Sequence, residues 1–172
     1  MTPHPRSLCI LLPWFRTERL DRAVEEPVAM VVVQRHSNTL LVTGANRLAE
    51  QSGARVGQTL VQARILNPAL QVTYQDDNAE LDALEAAAGN AYQFTPNISL
   101  APPNALILDI SGCERLFKSE DNLVSNIAHT FALLGYTPVI GIADNPAGNV
   151  SNRHYQRSPA CARKPATERF AT

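Results

Sequence analysis

The chain has 172 residues, of which 45% are apolar and 18% charged, a composition typical of a soluble globular protein with one sizeable core. No apolar run approaches the roughly 18 residues that a membrane span needs, and no basic segment followed by a long apolar core opens the chain. The three cysteines lie far apart in no metal-ligand spacing, which argues against a zinc site or a disulfide framework. We therefore expect a cytoplasmic protein with neither a membrane span nor a secretory signal.

The charge is unevenly distributed along the chain. From residue 151 onward there are five basic residues and one acidic residue, so residues 1–150 carry a net charge of −5. A nucleic-acid enzyme usually presents a broad basic face, and this composition does not predict one. The tail after about residue 155 is rich in Arg, Pro, Ala and Thr without periodicity, which predicts a disordered basic segment.

Local patterns predict twelve short elements. In chain order they are a strand at 8–12, a helix at 17–24, strands at 27–33 and 39–43, helices at 45–51 and 59–66, a strand at 70–73, a helix at 77–92, strands at 98–100 and 105–110, a helix at 119–134 and a strand at 137–142. Pro13 ends the first strand, and Thr59 and Ser119 cap their helices.

Two helices carry apolar stripes at helical spacing. Asp77 with Glu80 makes a start that resembles a capping box, and the predicted stripe behind it consists of Leu81, Leu84, Ala88 and Ala91. The predicted stripe of the later helix consists of Leu123, Ile127, Phe131 and Leu134. Both helices are therefore expected to cover one sheet.

Without residues 14–70, the order becomes strand, helix, strand, strand, helix, strand. This is the ferredoxin-like βαββαβ order, and it predicts an α+β fold with a small α/β subdomain inserted after the first strand. The main unit would consist of residues 1–13 and 71–150, and the insertion of residues 14–70.

A buried strand ends on Asp109, directly before the turn Ser111-Gly112. Such a strand predicts that its C-terminal end opens into a site. A lone carboxylate holds magnesium poorly, so we expect Asp109 to accept hydrogen bonds from the turn rather than to bind metal. Asp144 fits a turn or helix cap in the same way. Cys113 is expected to pack as a small apolar residue.

Three segments resemble the Y-family translesion DNA polymerases. Residues 44–57, G-A-N-R-L-A-E-Q-S-G-A-R-V-G, are similar to the fingers pattern T-A-N-Y-x-A-R-x-x-G-V-x-x-G of that family. Residues 106–109 resemble the end of its palm signature S-L-D-E-A-Y-L-D, and residues 141–145 resemble the following G-I-[SA]-x-N. The resemblance covers about residues 8–150 and implies that the main unit is a palm and the insertion a fingers subdomain.

The resemblance also implies which catalytic groups are missing. Nucleotidyl transfer needs two magnesium ions about 4 Å apart, held by carboxylate oxygens. At the places where the family has its three metal-binding acids, this chain has Leu11, Asn104 and Ala105. We therefore expect no bound metal, since magnesium would be the cofactor only of an active relative, and no nucleotidyltransferase activity.

Phosphate-binding positions differ as well. The family's fingers arginine corresponds to Glu50, a reversal of charge, and the tyrosine before it corresponds to Arg47, which could replace the missing cation in part. The lysine of the last palm helix corresponds to about Val150. Arg55 and Arg64 could contact template phosphates, although arginines on helices more often form a solvated face.

Residues 108–117, L-D-I-S-G-C-E-R-L-F, resemble the ImuB-type branch of bacterial DNA-damage mutagenesis cassettes, which has the Y-family fold without the catalytic acids. That resemblance implies an adaptor that joins an error-prone C-family polymerase and a RecA-like accessory protein to the β sliding clamp, with weak affinity for primed or damaged DNA. No clamp-binding peptide of the form Q-x-x-[LM]-x-F is visible in the tail. The family continues into thumb and little-finger domains, so residues 151–172 are expected to be a truncated start of the thumb or a basic tail.

Three alternatives stay open at this point. The first is an active polymerase fragment that uses displaced acids such as Asp109 and Asp144. The second is a protein-interaction module without DNA affinity. The third is an inert truncated remnant. Trp14 and Phe15 likewise have two interpretations, stacking on a base in a nucleotide pocket or packing at the junction of palm and fingers.

Overall fold

The computed structural model describes residues 6–22 and 26–143, with the backbone alone at 114 and 115. The seven strands are β1 (Ser7–Leu11), β2 (Met30–His36), β3 (Thr39–Ala45), β4 (Gln71–Tyr74), β5 (Ile98–Ala101), β6 (Ala105–Asp109) and β7 (Val139–Ala143). The helices are α1 (Phe15–Asp21), α2 (Arg47–Gln51), α3 (Leu60–Leu66), α4 (Asp77–Ala91), α5 (Glu114–Phe117) and α6 (Glu120–Leu133). Asp144, Val150 and the basic tail lie outside the described residues.

The larger sheet has four antiparallel strands in the order β5-β6-β1-β7. With α4 between β1 and β5, and α6 between β6 and β7, this is the ferredoxin-like βαββαβ arrangement. Buried and more exposed side chains alternate along β1 and β6. Leu8, Ile10, Leu106 and Leu108 are fully buried, while the residue between each pair is only half-buried. The buried face packs against α4 and α6. The predicted α+β fold is thereby confirmed.

The smaller sheet has three strands in the order β3-β2-β4 and lies in the inserted part of the chain. β2 and β3 form the predicted antiparallel hairpin, and β4 pairs in parallel with β2, from Met30 opposite Gln71 to Val33 opposite Tyr74. This pairing extends the inserted unit past residue 70, where the sequence-based division ended it. A parallel partner needs a long crossover, which α2 and α3 supply.

The two long helices match their predicted stripes unequally. On α6, Leu123, Ile127 and Phe131 are buried as predicted. On α4 the cap is Asp76 rather than Asp77, and Leu81 is 41% exposed while Glu80 is only 4% exposed. The inward face of α4 is therefore rotated toward Glu80, because that carboxylate has a partner on α1.

The helices within the described ranges are all too short or too polar to cross a membrane.

Candidate functional site

The candidate site is a cleft between the two sheets, with a cavity of about 80 Å³. Its walls come from the chain segment after β1, the first turn of α1, the end of β3, α2 and the turn before β6. Trp14, Glu50 and Asn104 supply polar groups, and Val56 and Pro103 supply apolar ones. We call this space the cleft.

The three positions that correspond to metal-binding acids meet at one edge of the cleft. Leu11 pairs with Ala105 on one side and with Val139 on the other. Asn104 makes two hydrogen bonds to the backbone of Leu12. Its side-chain N–H donates to the Leu12 carbonyl over 2.9 Å, and its backbone carbonyl accepts from the Leu12 N–H over 2.9 Å. Backbone pairing and the Asn104 side chain thus hold these positions next to one another.

These residues do not fit magnesium. A hard divalent cation of that size requires several oxygen ligands, usually with carboxylates among them. Leu11 and Ala105 offer none, and the Asn104 amide group is directed to a backbone carbonyl. Among the described residues, no group of three or more His, Cys, Asp or Glu side chains is arranged to hold a metal ion.

Asp109 lies at the opposite end of β6 from the cleft. Ala105 pairs with Leu11, whereas Asp109 pairs with Ser7, four residues along the strand and therefore about 13 Å away. The cleft therefore borders the beginning of this strand, whereas its C-terminal end, where Asp109 lies, borders a separate hollow of about 430 Å³.

The carboxylate of Asp109 accepts a hydrogen bond from the Ser111 N–H over 2.9 Å, as expected. Hydrogen bonds from the Ser111 side chain and backbone lower the pKa of Asp109 below its ordinary value. Asp109 therefore holds the turn after β6 and is not part of the cleft.

The indole of Trp14 organises the wall between α1 and α2. Its Nε1–H donates to Glu50 Oε2 over 3.1 Å, and the guanidinium carbon of Arg47 lies 4.4 Å from the ring centroid. Arg47 and Glu50 are three residues apart on α2 and so project to neighbouring positions on the helix surface. Arg47 also donates to Thr137 Oγ1 over 3.4 Å.

Two charged side chains line the cleft, Glu50 and Arg16, and Arg16 is paired with Glu80. The Glu50 carboxylate lines the cavity, whereas Arg47 stacks on the indole and does not line it. Arg47 therefore does not replace the missing cation inside the cleft. A bound phosphate would face a carboxylate at the position where the family pattern places an arginine.

A second hollow beside Trp14 is also acidic. Glu18, Asp21 and Glu26 line it, and its volume is about 320 Å³. Burial raises the pKa of Asp21, and the hydrogen bond from the Asn46 side chain opposes that shift. With one basic residue, Arg47, beside these three acids, the lining of this hollow has a net negative charge, which disfavours anions.

Arg16, in the wall of the cleft, connects helix α4 to the smaller sheet. Arg16 Nε donates to Glu80 Oε2 over 2.9 Å, and Arg16 Nη1 donates to the Thr43 carbonyl over 2.7 Å. Sequence reasoning missed both partners. The available signal was Glu80 itself, which continues the helical spacing of Leu84 and Ala88 toward the N-terminus.

Arg55, Phe15 and Cys113 have structural partners, whereas Arg64 is an exposed residue of α3. Arg55 donates to the carbonyls of Glu50 and Ala54 and so satisfies the end of α2. Phe15 is buried in the main core and lies 5.4 Å from the Tyr136 ring, which confirms the packing interpretation. Cys113 packs against the same core, and burial together with the nearby charge of Asp109 raises the pKa of its thiol.

Comparisons with known proteins agree with this fold. The family model described as "impB/mucB/samB family" matches residues 17–147, about three quarters of the chain. Comparison with curated protein sequences gives no significant match.

Three solved structures illustrate the likeness. A Y-family DNA polymerase chimera, Dbh-Dpo4(243-245)-Dbh, aligns with a TM-score of 0.66 and 14% identity, covering 84% of this chain and 44% of that one. A post-insertion binary complex of Dbh DNA polymerase aligns with a TM-score of 0.70 and 15% identity, covering 80% and 42%. DinB from Sulfolobus solfataricus aligns with a TM-score of 0.64 and 16% identity, covering 81% and 42%. The chain thus spans less than half the length of these proteins, and the likeness is one of fold.

Proposed function

We propose that this chain, which belongs to the impB/mucB/samB family, is a non-catalytic component of translesion DNA synthesis and acts as an adaptor for an error-prone polymerase. Its described part has the fold of a Y-family polymerase palm with an inserted subdomain. The ImuB-like pattern at residues 108–117 supports the adaptor role, and the chemistry of the cleft supports the absence of catalysis.

One observation carries the proposal. At the edge of the cleft where the family pattern requires acids, Leu11 lies opposite Ala105, and Asn104 is bound to the backbone of Leu12. Electrostatic stabilisation of the transferring phosphoryl group usually contributes most to such catalysis, and each lost donor or cation costs several kcal/mol. Without carboxylates there is no two-metal centre to provide that stabilisation.

A second observation concerns the incoming triphosphate. Glu50 projects its carboxylate into the cleft, and the Trp14 indole N–H holds it there. Placing a triphosphate beside this group would bring like charges together in a partly desolvated space. Arg16, the basic residue of the lining, is already paired with Glu80, so the repulsion by Glu50 disfavours substrate binding independently of the missing metal ligands.

The test of catalysis is primer extension by the purified 172-residue chain on a primed template, with Mg²⁺ and separately with Mn²⁺. We expect no extension, while a catalytically active Y-family polymerase extends the same primer. Extension that Asp109→Ala abolishes would contradict the proposal and favour an active enzyme that uses displaced acids. The position of Asp109 at the far end of β6 argues against that alternative.

The test of the adaptor role uses purified partners. The ImuB-like resemblance implies a C-family polymerase, a RecA-like protein and the β sliding clamp. Size-exclusion chromatography of the chain with each of them, at low and at high salt, should show co-elution with at least one. If none co-elutes, the adaptor role is wrong for this chain, whatever primer extension shows.

A further inference from the structure

Helix α3 is apolar on two opposite sides. Its sequence is L-V-Q-A-R-I-L, and Leu60 and Ala63 pack into the core of the smaller sheet. Val61 and Ile65 point the other way, with 69% and 75% of their surface exposed. At 100° per residue, their mean direction lies roughly 150° from that of the two core residues. No described part of the chain covers this second apolar side, so it is available to a partner.

Exposed apolar side chains concentrate in this part of the chain. Ten large apolar residues are exposed in the described ranges, and half of them fall between residues 48 and 66: Leu48, Val56, Val61, Ile65 and Leu66. Val61 and Ile65 are four residues apart and form one continuous surface. We call Val61, Arg64 and Ile65 the α3 face. Scattered apolar residues need no explanation, whereas a local cluster indicates an interaction site.

The chain segment that contains α3 has charged residues of one sign. Between Gln51 and Gln75 the chain contains no Asp or Glu, but it contains Arg55 and Arg64. Arg55 is engaged by the carbonyls of Glu50 and Ala54, whereas Arg64 is exposed and lies three residues after Val61, next to it on the surface of α3. The α3 face is therefore an apolar strip with a cation at its edge, in a chain whose net charge is −1.

We infer that the α3 face docks an amphipathic helix of a partner protein. The leucines or isoleucines of that helix would cover Val61 and Ile65, and an acidic residue beside them would meet Arg64. The inference deepens the proposed adaptor function, because it assigns a surface for one partner and the chemistry of that partner.

Two other occupants fit the surface less well. A nucleic-acid strand presents a phosphate every few ångströms and needs several cations, whereas Val61 and Ile65 occupy the centre of the α3 face. A second copy of the chain would form an isologous contact, and centring it on Ile65 would bring the two copies of Arg64 toward each other. A helix with one apolar face and acidic residues beside it matches both the apolar pair, Val61 and Ile65, and the cation Arg64.

The experiment measures binding of a defined probe by fluorescence anisotropy. The probe is a labelled helical peptide with leucines at positions i, i+3, i+4 and i+7 and flanking glutamates. A matched peptide carries lysines in place of the glutamates. Both are titrated with the 172-residue chain and with Ile65→Ser, Arg64→Glu and Leu133→Ser. Leu133 is the control, because it is 76% exposed on another helix, α6.

We expect the parent chain to bind the glutamate peptide at least about tenfold more tightly than the lysine peptide. Ile65→Ser should weaken binding about tenfold, Leu133→Ser should leave it unchanged, and Arg64→Glu should reverse the preference between the two peptides. Circular dichroism of each variant checks that the fold is intact.

Four outcomes would overturn the inference: no binding of the glutamate peptide, an equal loss with Leu133→Ser, displacement of that peptide by oligo-dT in an Ile65-dependent way, or self-association in sedimentation velocity that Ile65→Ser abolishes. Because the readout is peptide binding, its failure would leave the primer-extension and co-elution results standing. A failure of the proposed function would in turn not remove peptide binding.

Discussion

Replacing Arg16 by alanine removes a link between helix α4 and the smaller sheet. The guanidinium joins the Glu80 carboxylate on α4 to the Thr43 carbonyl on β3. Only 21% of the Arg16 side chain and 5% of the Glu80 side chain are exposed. Glu80 Oε1 has no hydrogen-bond partner among the described residues, so Arg16→Ala would leave a buried carboxylate without its cation.

The size of the effect follows from this burial. Removing one member of a fully buried ion pair costs about 3–5 kcal/mol, because the remaining charge stays desolvated. Arg16 is partly exposed, so we expect the lower end, about 3 kcal/mol. Domains of this size have a free energy of unfolding of roughly 5–15 kcal/mol, which makes the loss a large fraction of the total. With a urea m-value of about 2 kcal/mol/M, the midpoint should fall by roughly 1–2 M.

Urea unfolding measured by two signals tests this prediction. Trp14 is the only tryptophan of the chain and lies at the contact of α1 with α2, so its fluorescence follows the junction of the sheets. Far-UV circular dichroism follows the whole chain. The matched control is the double variant Arg16→Met with Glu80→Met, which removes both charges and keeps apolar volume. It should lose less stability than Arg16→Ala alone.

A loss below about 1 kcal/mol for Arg16→Ala would show that solvent compensates for the pair, as it does for surface salt bridges. A double variant no more stable than Arg16→Ala would also refute the reasoning, since the buried charge would then not be the cause.

Other substitutions give local tests of the fold. Asn46→Ala should lower the free energy of unfolding by about 3 kcal/mol in the same assay. The Asn46 side-chain oxygen accepts hydrogen bonds from the N–H groups of Met30 and Ala49, and the residue is only 6% exposed. A loss below about 1 kcal/mol would contradict this prediction. Gly53→Ala should lower stability by about 1–2 kcal/mol, since Gly53 has φ +98° and an added Cβ would lie 3.1 Å from a leucine of α3. Asp109 has a lowered pKa, so its stabilisation is complete above its ordinary pKa near 3.8 and lost as the pH falls through the folded value. The stability difference between the parent chain and Asp109→Asn should therefore shrink below about pH 4, and a difference that does not change with pH would refute that role.

Local patterns were sufficient where neighbours in sequence determine the structure. The capping box of Thr59 with Gln62 and the stripe of α6 depend on residues three and four apart, and both the Thr59 cap and the stripe are found as predicted. The resemblance to the family also implied that Leu11 and Ala105 are neighbours. They are paired residues of the two central strands β1 and β6.

Contacts between distant segments could not be predicted in this way. The parallel pairing of β4 with β2 depends on a crossover, and four residues with two β-branched members do not specify their partner. Glu80 was assigned to a cap because only its distance from Asp77 was visible, whereas its true partner is 64 residues away. The link between Trp14 and Glu50 spans 36 residues and likewise has no local signal.

Binding of a nucleotide to the cleft is the most direct test of the central claim. A deoxynucleoside triphosphate is titrated into the chain with Mg²⁺ present and then absent, with Trp14 fluorescence as the signal because its indole forms the cleft wall. Glu50→Arg serves as the comparison, since it restores a cation at the position of the carboxylate. We expect no saturable, Mg²⁺-dependent change for the parent chain up to millimolar nucleotide, and weak binding at most for Glu50→Arg. Saturable Mg²⁺-dependent binding by the parent chain would contradict the claim that its cleft does not bind a nucleoside triphosphate.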